Sequence, residues 1–268
     1  MKALCARGAG AMGAAVLALG LVLATPAQGF QWPGRAEKPK APDWGYAGEQ
    51  GPAAWGGLGP MYATCAEGKA QSPIDLRYAR RADYVPLSFS YRSDALAIDN
   101  TGHGIQVASA PGSSLRVDGR EYVLEQFHFH TPSEHHIQGM PADMEMQLIH
   151  RDAQGRLAVV AVLMRAGRHI NSTMSRIAER LPLAEGEKFY GRQVAINPLF
   201  LLPQDRSYFR YQGSLTTPPC TEGVDWFVMA EPVEVDADLI DRFRQVMGPN
   251  VRPIQADNAR PVYLFSRR

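Results

Sequence analysis

The chain has 268 residues and a nearly balanced charge, with 28 Lys and Arg against 27 Asp and Glu, for a net charge of +1. This balance argues against nucleic acid or an acidic membrane surface as a partner. The length suits one large domain, and a hydrophobic share of 45% allows a substantial core. The 25 glycines and 20 prolines favour many short strands joined by turns.

The first 27 residues have the features of a cleaved secretory signal peptide. Lys2 and Arg7 form a basic start, residues 10–24 form an apolar run, and Thr25-Pro26-Ala27 offers small residues for cleavage. An uncleaved membrane anchor is the alternative, but the strongly apolar part is short for a span of about 20 residues. We therefore predict a signal peptide over residues 1–27, a mature domain over residues 28–268, and no membrane contact after cleavage.

The three cysteines divide between these two parts of the chain. Cys5 lies in the signal segment and leaves with it, so Cys65 and Cys220 remain as an even pair. In an oxidising compartment a disulfide between them is the default expectation. Two buried free thiols are the alternative.

Most of the mature chain has the pattern of β-structure. Residues 30–60 are rich in Gly, Pro and Trp and predict an irregular arm that lies over the domain. Residues 87–123 contain short alternating runs broken by turn sequences, which is typical of strands. Residues 157–164 form a continuous apolar run, which predicts a central strand buried on both faces.

Helical character is confined to two segments of the mature chain. Residues 171–181 and residues 237–247 have moderate helical patterns, and Asp236 precedes the second segment as a suitable N-cap. The sequence therefore predicts a predominantly β chain, a large sheet with a few peripheral helices (α+β).

The stretch Gln126-Phe127-His128-Phe129-His130 predicts a strand with two different faces. His128 and His130 point to one face with Gln126, and both phenylalanines point to the other. Two imidazoles at i and i+2 are placed to bind one metal ion, although a packed or exposed pair is the alternative for this pattern alone. In residues 144–150 the same alternation lets Gln147 complete a three-sided pocket, and a catalytic zinc has three protein ligands and an open position.

Further motifs follow the same order as in a known family. The five motifs are Gln71-Ser72-Pro73-Ile74-Asp75, Gln126-Phe127-His128-Phe129-His130, Ser133-Glu134-His135, Gly213-Ser214-Leu215-Thr216-Thr217-Pro218-Pro219-Cys220 and Asn250-Val251-Arg252-Pro253. Together they resemble the α-class carbonic anhydrases, and the secreted bacterial branch in particular, over residues 44–264. The resemblance implies a single domain on a large, mostly antiparallel twisted sheet, a zinc site at the bottom of a conical cavity, and a periplasmic location.

The activity implied by this resemblance is the reversible hydration of carbon dioxide to bicarbonate and a proton, by attack of a zinc-bound hydroxide. Zinc lowers the pKa of its water from about 16 to about 7, an effect for which carbonic anhydrase is itself the reference case. The expected cofactor is Zn²⁺ and the expected partners are the small molecules carbon dioxide and bicarbonate. No oligomeric state follows from the sequence.

The resemblance also implies roles for individual residues. His128 and His130 match two of the three zinc ligands. Glu134 and Thr216 match a relay that orients the hydroxide, and His103 matches a proton shuttle, a task suited to an unperturbed histidine with a pKa of about 6.5. Gln126 and Glu145 match residues that orient the ligands, and Thr217 matches a threonine beside the product. Cys65 and Cys220 match the disulfide of the bacterial branch. The apolar wall for carbon dioxide is matched by Ile149, Val159, Leu215, Val224 and Trp226.

Gln147 departs from the family pattern, which has the third zinc-binding histidine at this position. Its amide oxygen can bind zinc while its NH2 group donates to Glu145. Alternatively another histidine substitutes, but His150 points to the opposite face unless a bulge intervenes, and His135 and His136 match structural positions. The third possibility is a catalytically weak or inactive binding module that has lost its metal. The matched relay, shuttle and wall favour the zinc enzyme.

Overall fold

The computed structural model describes residues 43–267. The predicted signal peptide, Cys5 and the first part of the predicted arm lie outside the described residues. The strands are β1 (Arg80–Ala82), β2 (Ser88–Ser90), β3 (Asp94–Asn100), β4 (Ile105–Ala108), β5 (Ser114–Val117), β6 (Arg120–His130), β7 (His136–Ile137), β8 (Met140–Pro141), β9 (Met144–Arg151), β10 (Leu157–Gly167), β11 (Lys188–Ile196), β12 (Tyr208–Ser214), β13 (Glu222–Met229), β14 (Val233–Asp236) and β15 (Tyr263–Phe265). The helices are α1 (Thr64–Glu67), α2 (Ser172–Ala178) and α3 (Ala237–Met247).

One large mixed sheet of thirteen strands dominates this part of the chain. Its main path runs β1-β15-β12-β13-β10-β9-β6-β4-β3-β11, and β7 and β8 form a separate hairpin. Most neighbours are antiparallel; β10 pairs in parallel with β13 and β14, and β1 pairs in parallel with β15. The predicted fold class, a large and mostly antiparallel twisted sheet with peripheral helices, is confirmed.

The predicted central strand is β10, which lies between β9 and β13. Residues 158–164 are all buried, because both faces of the strand are covered. Val160 and Val162 belong to the larger hydrophobic core, and Val159 belongs to a second core on the opposite face. Fully burying a valine contributes about 1.5–3 kcal/mol, so a continuous apolar run is stable only in such a central position.

Both predicted helices form, and each begins at a polar cap. The side chain of Asn171 accepts hydrogen bonds from the backbone of Thr173 and Met174, and Asp236 accepts one from Asp238. Helix α3 spans the predicted residues, whereas α2 ends earlier than predicted. The proline at position 182 disfavours helical geometry at Leu181, the last residue of the predicted span. No helix within residues 43–267 is long and apolar enough to cross a membrane.

The described part of the predicted arm is organised around Trp55. This stretch contains the short 3-10 turns Gly48–Gln50 and Trp55–Gly57. The Trp55 indole is fully buried and donates hydrogen bonds to the carbonyl oxygens of Gly45 and Gln50, at 2.9 and 3.0 Å. It packs in a small apolar cluster with Cys65 and Cys220, which form a disulfide. The predicted pairing of these two cysteines is confirmed.

Candidate metal centre

The register between β6 and β9 brings the two histidines and the glutamine together. In this antiparallel pair, His128 lies directly opposite Gln147, and His130 lies opposite Glu145. Cross-strand neighbours of this kind have Cβ atoms about 5 Å apart, close enough for their side chains to share one ligand. Phe127 lies on the other face, in the larger core. The three-sided pocket predicted from strand alternation is therefore formed by adjacent strands.

Each of the two imidazoles has its Nδ1 engaged by an oxygen. His128 Nδ1 lies 3.0 Å from the Gln126 amide oxygen, and His130 Nδ1 lies 2.7 Å from the Asn250 carbonyl oxygen. Both oxygens can only accept, so each Nδ1 carries the hydrogen and each Nε2 keeps a free lone pair. His130 Nε2 is buried and makes no hydrogen bond, although Glu134 Oε2 lies 3.5 Å from it. An unpaired buried nitrogen of this kind is costly, and a cation beside it would remove that cost.

The Gln147 amide is held in one orientation. Its Nε2 donates to Glu134 Oε2 and to Glu145 Oε1, both at 2.9 Å. Because the NH2 group has only two hydrogens, these bonds use both and leave the carbonyl oxygen on the opposite side. Gln147 also lies next to the His128 ring, its cross-strand neighbour. The carbonyl oxygen therefore lies on the side of the histidine lone pairs.

The charge states of the surrounding groups favour a bound cation. Burial, and to a smaller extent the nearby His130, lower the pKa of His128 to about 3, so the ring is neutral near pH 7. Burial opposes ionisation of Glu145, but the charge and hydrogen bonds of His135 outweigh it and lower the pKa of Glu145 to about 2. The pocket thus combines the neutral imidazole of His128 with the negative charge of Glu145 behind it.

Two neighbouring histidines point away from the pocket. His150 lies on the opposite face of β9, where its Nε2 is 2.7 Å from the Tyr91 hydroxyl, and burial lowers its pKa to about 4. His135 Nδ1 is 2.8 Å from Glu145 Oε1, and its Nε2 is 2.7 Å from the Tyr211 hydroxyl. Both rings are thus committed to other partners, which weighs against a substitute histidine ligand.

The residues present fit a zinc ion held by two imidazoles and one amide oxygen. Within residues 43–267, no three His, Cys, Asp or Glu side chains converge as a metal-binding group. The third converging donor here is instead the amide of Gln147. Zinc accepts nitrogen and oxygen ligands, and its catalytic sites use three of them with one position open. The free lone pairs of His128 and His130 complete this donor set.

A cavity of about 270 Å³ opens above the histidines, with His128, His130 and Thr217 in its wall. His103 lies in the same wall, stacked on Trp44 with ring centroids 3.8 Å apart. His103 Nε2 is 2.8 Å from the Trp44 carbonyl oxygen and therefore donates to it. This bond leaves Nδ1 of His103 as the nitrogen able to accept a proton.

The glutamate of the predicted relay has partners that the sequence did not suggest. Glu134 Oε1 accepts from the backbone N–H of Arg252 at 2.9 Å, and Oε2 accepts from Gln147. Thr216 is buried, and no hydrogen bond joins it to Glu134 in the described part of the chain. An imidazole at position 147 has one N–H to offer the carboxylates, whereas the amide has two and reaches Glu134 with the second.

Comparison with known proteins defines the family. A profile described as eukaryotic-type carbonic anhydrase matches residues 50–268. A carbonic anhydrase of Pectobacterium carotovorum is 41% identical over 221 residues, covering 81% of this chain and 88% of that protein. The chain belongs to the α-class carbonic anhydrase family.

Solved structures of relatives show the same fold. The α-carbonic anhydrase of Thermovibrio ammonificans, in complex with the inhibitor sulfanilamide, is 42% identical with a TM-score of 0.81 over 83% of this chain and 99% of that one. Dioscorin complexed with ascorbate is 32% identical, with a TM-score of 0.79 over 84% and 99%. The function of the α-class carbonic anhydrase family is zinc-dependent hydration of carbon dioxide.

The residues matched to the carbonic anhydrase apolar wall lie in one row across the sheet. Gln126 pairs with Ile149, Ile149 with Val159, and Val159 with Trp226. These apolar side chains share a core cluster with Val224, and the partly buried Leu215 packs against it. The row begins beside the histidines and lies on the same face of the sheet, but its side chains are buried in the core and do not line the cavity.

Several carbonic anhydrase site residues had no role in the sequence analysis. The Asn250 carbonyl orients His130, the Arg252 backbone holds Glu134, and Trp44 holds His103. Asn250 and Arg252 belong to the motif Asn250-Val251-Arg252-Pro253, which was the signal in the sequence that pointed to them. Their contacts are made by backbone atoms across 118–120 residues of sequence, which residue type alone does not reveal.

Proposed function

We propose that the chain is a zinc-dependent carbonic anhydrase that catalyses the reversible hydration of carbon dioxide to bicarbonate and a proton. One observation carries the proposal: the imidazoles of His128 and His130 and the oxygen side of the Gln147 amide converge in one buried pocket. Gln147 takes the place of the third histidine of the family. Gln126 and Glu145 hold the ligands in orientation.

Each side chain of the site has a task that suits this reaction. When bound, zinc lowers the pKa of a water molecule to about 7 and so supplies a strong nucleophile near neutral pH. The apolar row through Ile149, Val159 and Trp226, buried on the same face of the sheet as the histidines, would provide an apolar environment for a neutral gas molecule. Thr216 and Thr217, at the loop after β12, provide hydroxyl groups for the oxygens of reactant and product. His103 accepts the released proton at Nδ1.

The second candidate function is a binding module of the same fold without metal. Gln147 is the observation that favours it, because zinc prefers an imidazole nitrogen over a neutral amide oxygen. Dioscorin, a relative with the same fold, was crystallised with ascorbate. The two functions differ in one measurable property, the amount of zinc bound by the protein as purified.

Removing one histidine tests the proposed zinc site. We expect the wild type to hold close to one zinc per chain, and His130→Ala to bind zinc roughly 100-fold more weakly. In structural zinc sites with four protein ligands, about 12 kcal/mol of binding corresponds to about 3 kcal/mol for each ligand, or roughly 100-fold in affinity. Metal analysis and chelator competition measure binding, and stopped-flow hydration of carbon dioxide follows the activity.

The matched control for this variant is His169→Ala, since His169 is exposed and far along the chain from the pocket. It should bind zinc and hydrate carbon dioxide like the wild type. The proposal is contradicted if the wild type takes up no zinc from excess metal. It is also contradicted if His130→Ala binds zinc as tightly as the wild type does.

Removing His103 tests the proton shuttle separately from the metal. We expect His103→Ala to keep its zinc but to lose about 100-fold in hydration rate at low buffer concentration, the lower end of the range for a positioned acid–base group. Added imidazole buffer should restore much of the rate, because a small base can then carry the proton. An equal loss at every buffer concentration would show that His103 acts in another way.

We further propose that the chain is exported to the periplasm after cleavage near Ala27. The basic start and apolar run of residues 1–27 support this location. The disulfide between Cys65 and Cys220 supports it independently, since such bonds persist in oxidising compartments.

A further inference from the structure

The Gln147 amide lies between two buried carboxylates that belong to different segments. Glu134 follows the end of β6, and Glu145 lies on β9. The three side chains are at most 1% exposed, so solvent cannot compete for their hydrogen bonds. Hydrogen bonds to a charged acceptor are roughly twice as strong as those between neutral groups. The two carboxylates therefore restrain the amide far more firmly than one surface contact would.

Each carboxylate is itself held by backbone or ring donors. Glu134 Oε1 accepts from the Arg252 backbone N–H at 2.9 Å. Glu145 accepts from the backbone N–H of His135 and from its ring Nδ1, both at 2.8 Å. These bonds keep Glu134 Oε2 and Glu145 Oε1 pointing at the amide. A flipped amide would direct its own oxygen at two anionic oxygens, which is a repulsive arrangement.

We infer that Glu134 is a positioning residue for the Gln147 ligand, an inference that rests on the proposed zinc site. Together with Glu145 it holds the amide oxygen toward the lone pairs of His128 and His130. The two charged acceptors also polarise the amide and increase the negative charge on its oxygen, which offsets its weakness as a zinc ligand. Glu134 thus serves the metal ligand directly, in addition to the relay role matched from the family.

This role depends on the amide at position 147. A histidine there would offer a single ring N–H to the carboxylates, because its other nitrogen would bind the metal. Glu145, on the same strand face two residues away, already accepts from the amide, and it would take that one N–H. Glu134 would then lose its bond to the ligand. The contribution of Glu134 to zinc affinity should therefore be large with Gln147 and small with histidine.

A double-mutant cycle tests the inference through zinc affinity alone. The zinc dissociation constants of the wild type, Glu134→Gln, Gln147→His and the double variant are measured by chelator competition. In the wild-type background we expect Glu134→Gln to weaken zinc binding about 10- to 100-fold, the range for residues that orient a metal ligand. With histidine at position 147 the same change should weaken it less than about 3-fold. Glu121→Gln, on an exposed part of β6, is the matched control and should have no effect.

The outcomes separate this inference from the proposed function. Equal weakening in both backgrounds overturns the role of Glu134 and leaves the zinc site intact. A wild type that binds no zinc overturns the proposed function and the inference together. Hydrogen exchange of the zinc-loaded wild type is a second test, which needs no Glu134 variant. The two side-chain amide protons of Gln147 are assigned by their absence in Gln147→His. Both should exchange slowly with solvent. Fast exchange of either proton overturns the inference.

Discussion

Replacing Gln147 with histidine should increase zinc affinity about 10- to 100-fold, the same order as the effect of residues that orient a metal ligand. Imidazole nitrogen is a better zinc donor than a neutral amide oxygen. The register with His128 and His130 stays the same, and Glu145 can orient the new ring as it orients the amide. Chelator competition measures the affinity. Carbon dioxide hydration should rise wherever the wild type is not saturated with zinc.

A matched control shows whether the gain belongs to this position. Gln154→His adds a histidine at an exposed turn and should leave high-affinity zinc binding unchanged. Zinc binding and hydration present only in Gln147→His would identify the wild type as a metal-free module on an intact scaffold. An unchanged or lower affinity in Gln147→His would contradict the assignment of this residue as the third ligand.

Removing the disulfide should lower the free energy of unfolding by about 3–5 kcal/mol. Cys65 and Cys220 are separated by 155 residues, and closing a loop of that length restricts the unfolded chain by about 5 kcal/mol in the chain-entropy estimate. The bond also joins α1 to the loop that follows Thr216 and Thr217. Urea unfolding of Cys65→Ala/Cys220→Ala, compared with the oxidised wild type, measures the difference.

The same variant bears on the metal centre, because Arg252 donates from its side chain to the Cys65 carbonyl oxygen and from its backbone to Glu134. Reduced wild type serves as the control and should show a similar loss of stability.

Cell fractionation and the intact mass of the exported chain test cleavage near Ala27 and the oxidation state together. Two free thiols in the exported protein, or a loss below about 1 kcal/mol, would contradict the structural role of the disulfide.

The local patterns of the sequence were sufficient to predict the strands that carry the site. Alternation is a property of the extended backbone, so it placed His128 and His130 on one face and Phe127 on the other without reference to the rest of the chain. Helix α3 could be predicted for the same reason, since its cap and its periodic pattern are contiguous in sequence. The end of α2 was less accurate, because several residues at a helix end compete to set it.

The sequence by itself determined the fold class, the two imidazoles of the proposed zinc site and the unusual residue at position 147, because these depend on strand periodicity and on residue type. Only the tertiary structure decided how the Gln147 amide is oriented. Its two hydrogen-bond acceptors are Glu145 on the same strand and Glu134 on a separate segment, and Glu134 is in turn held by the backbone of Arg252, 118 residues away. A short polar side chain can turn either end toward a metal, and the choice depends on which groups the folded chain places around it.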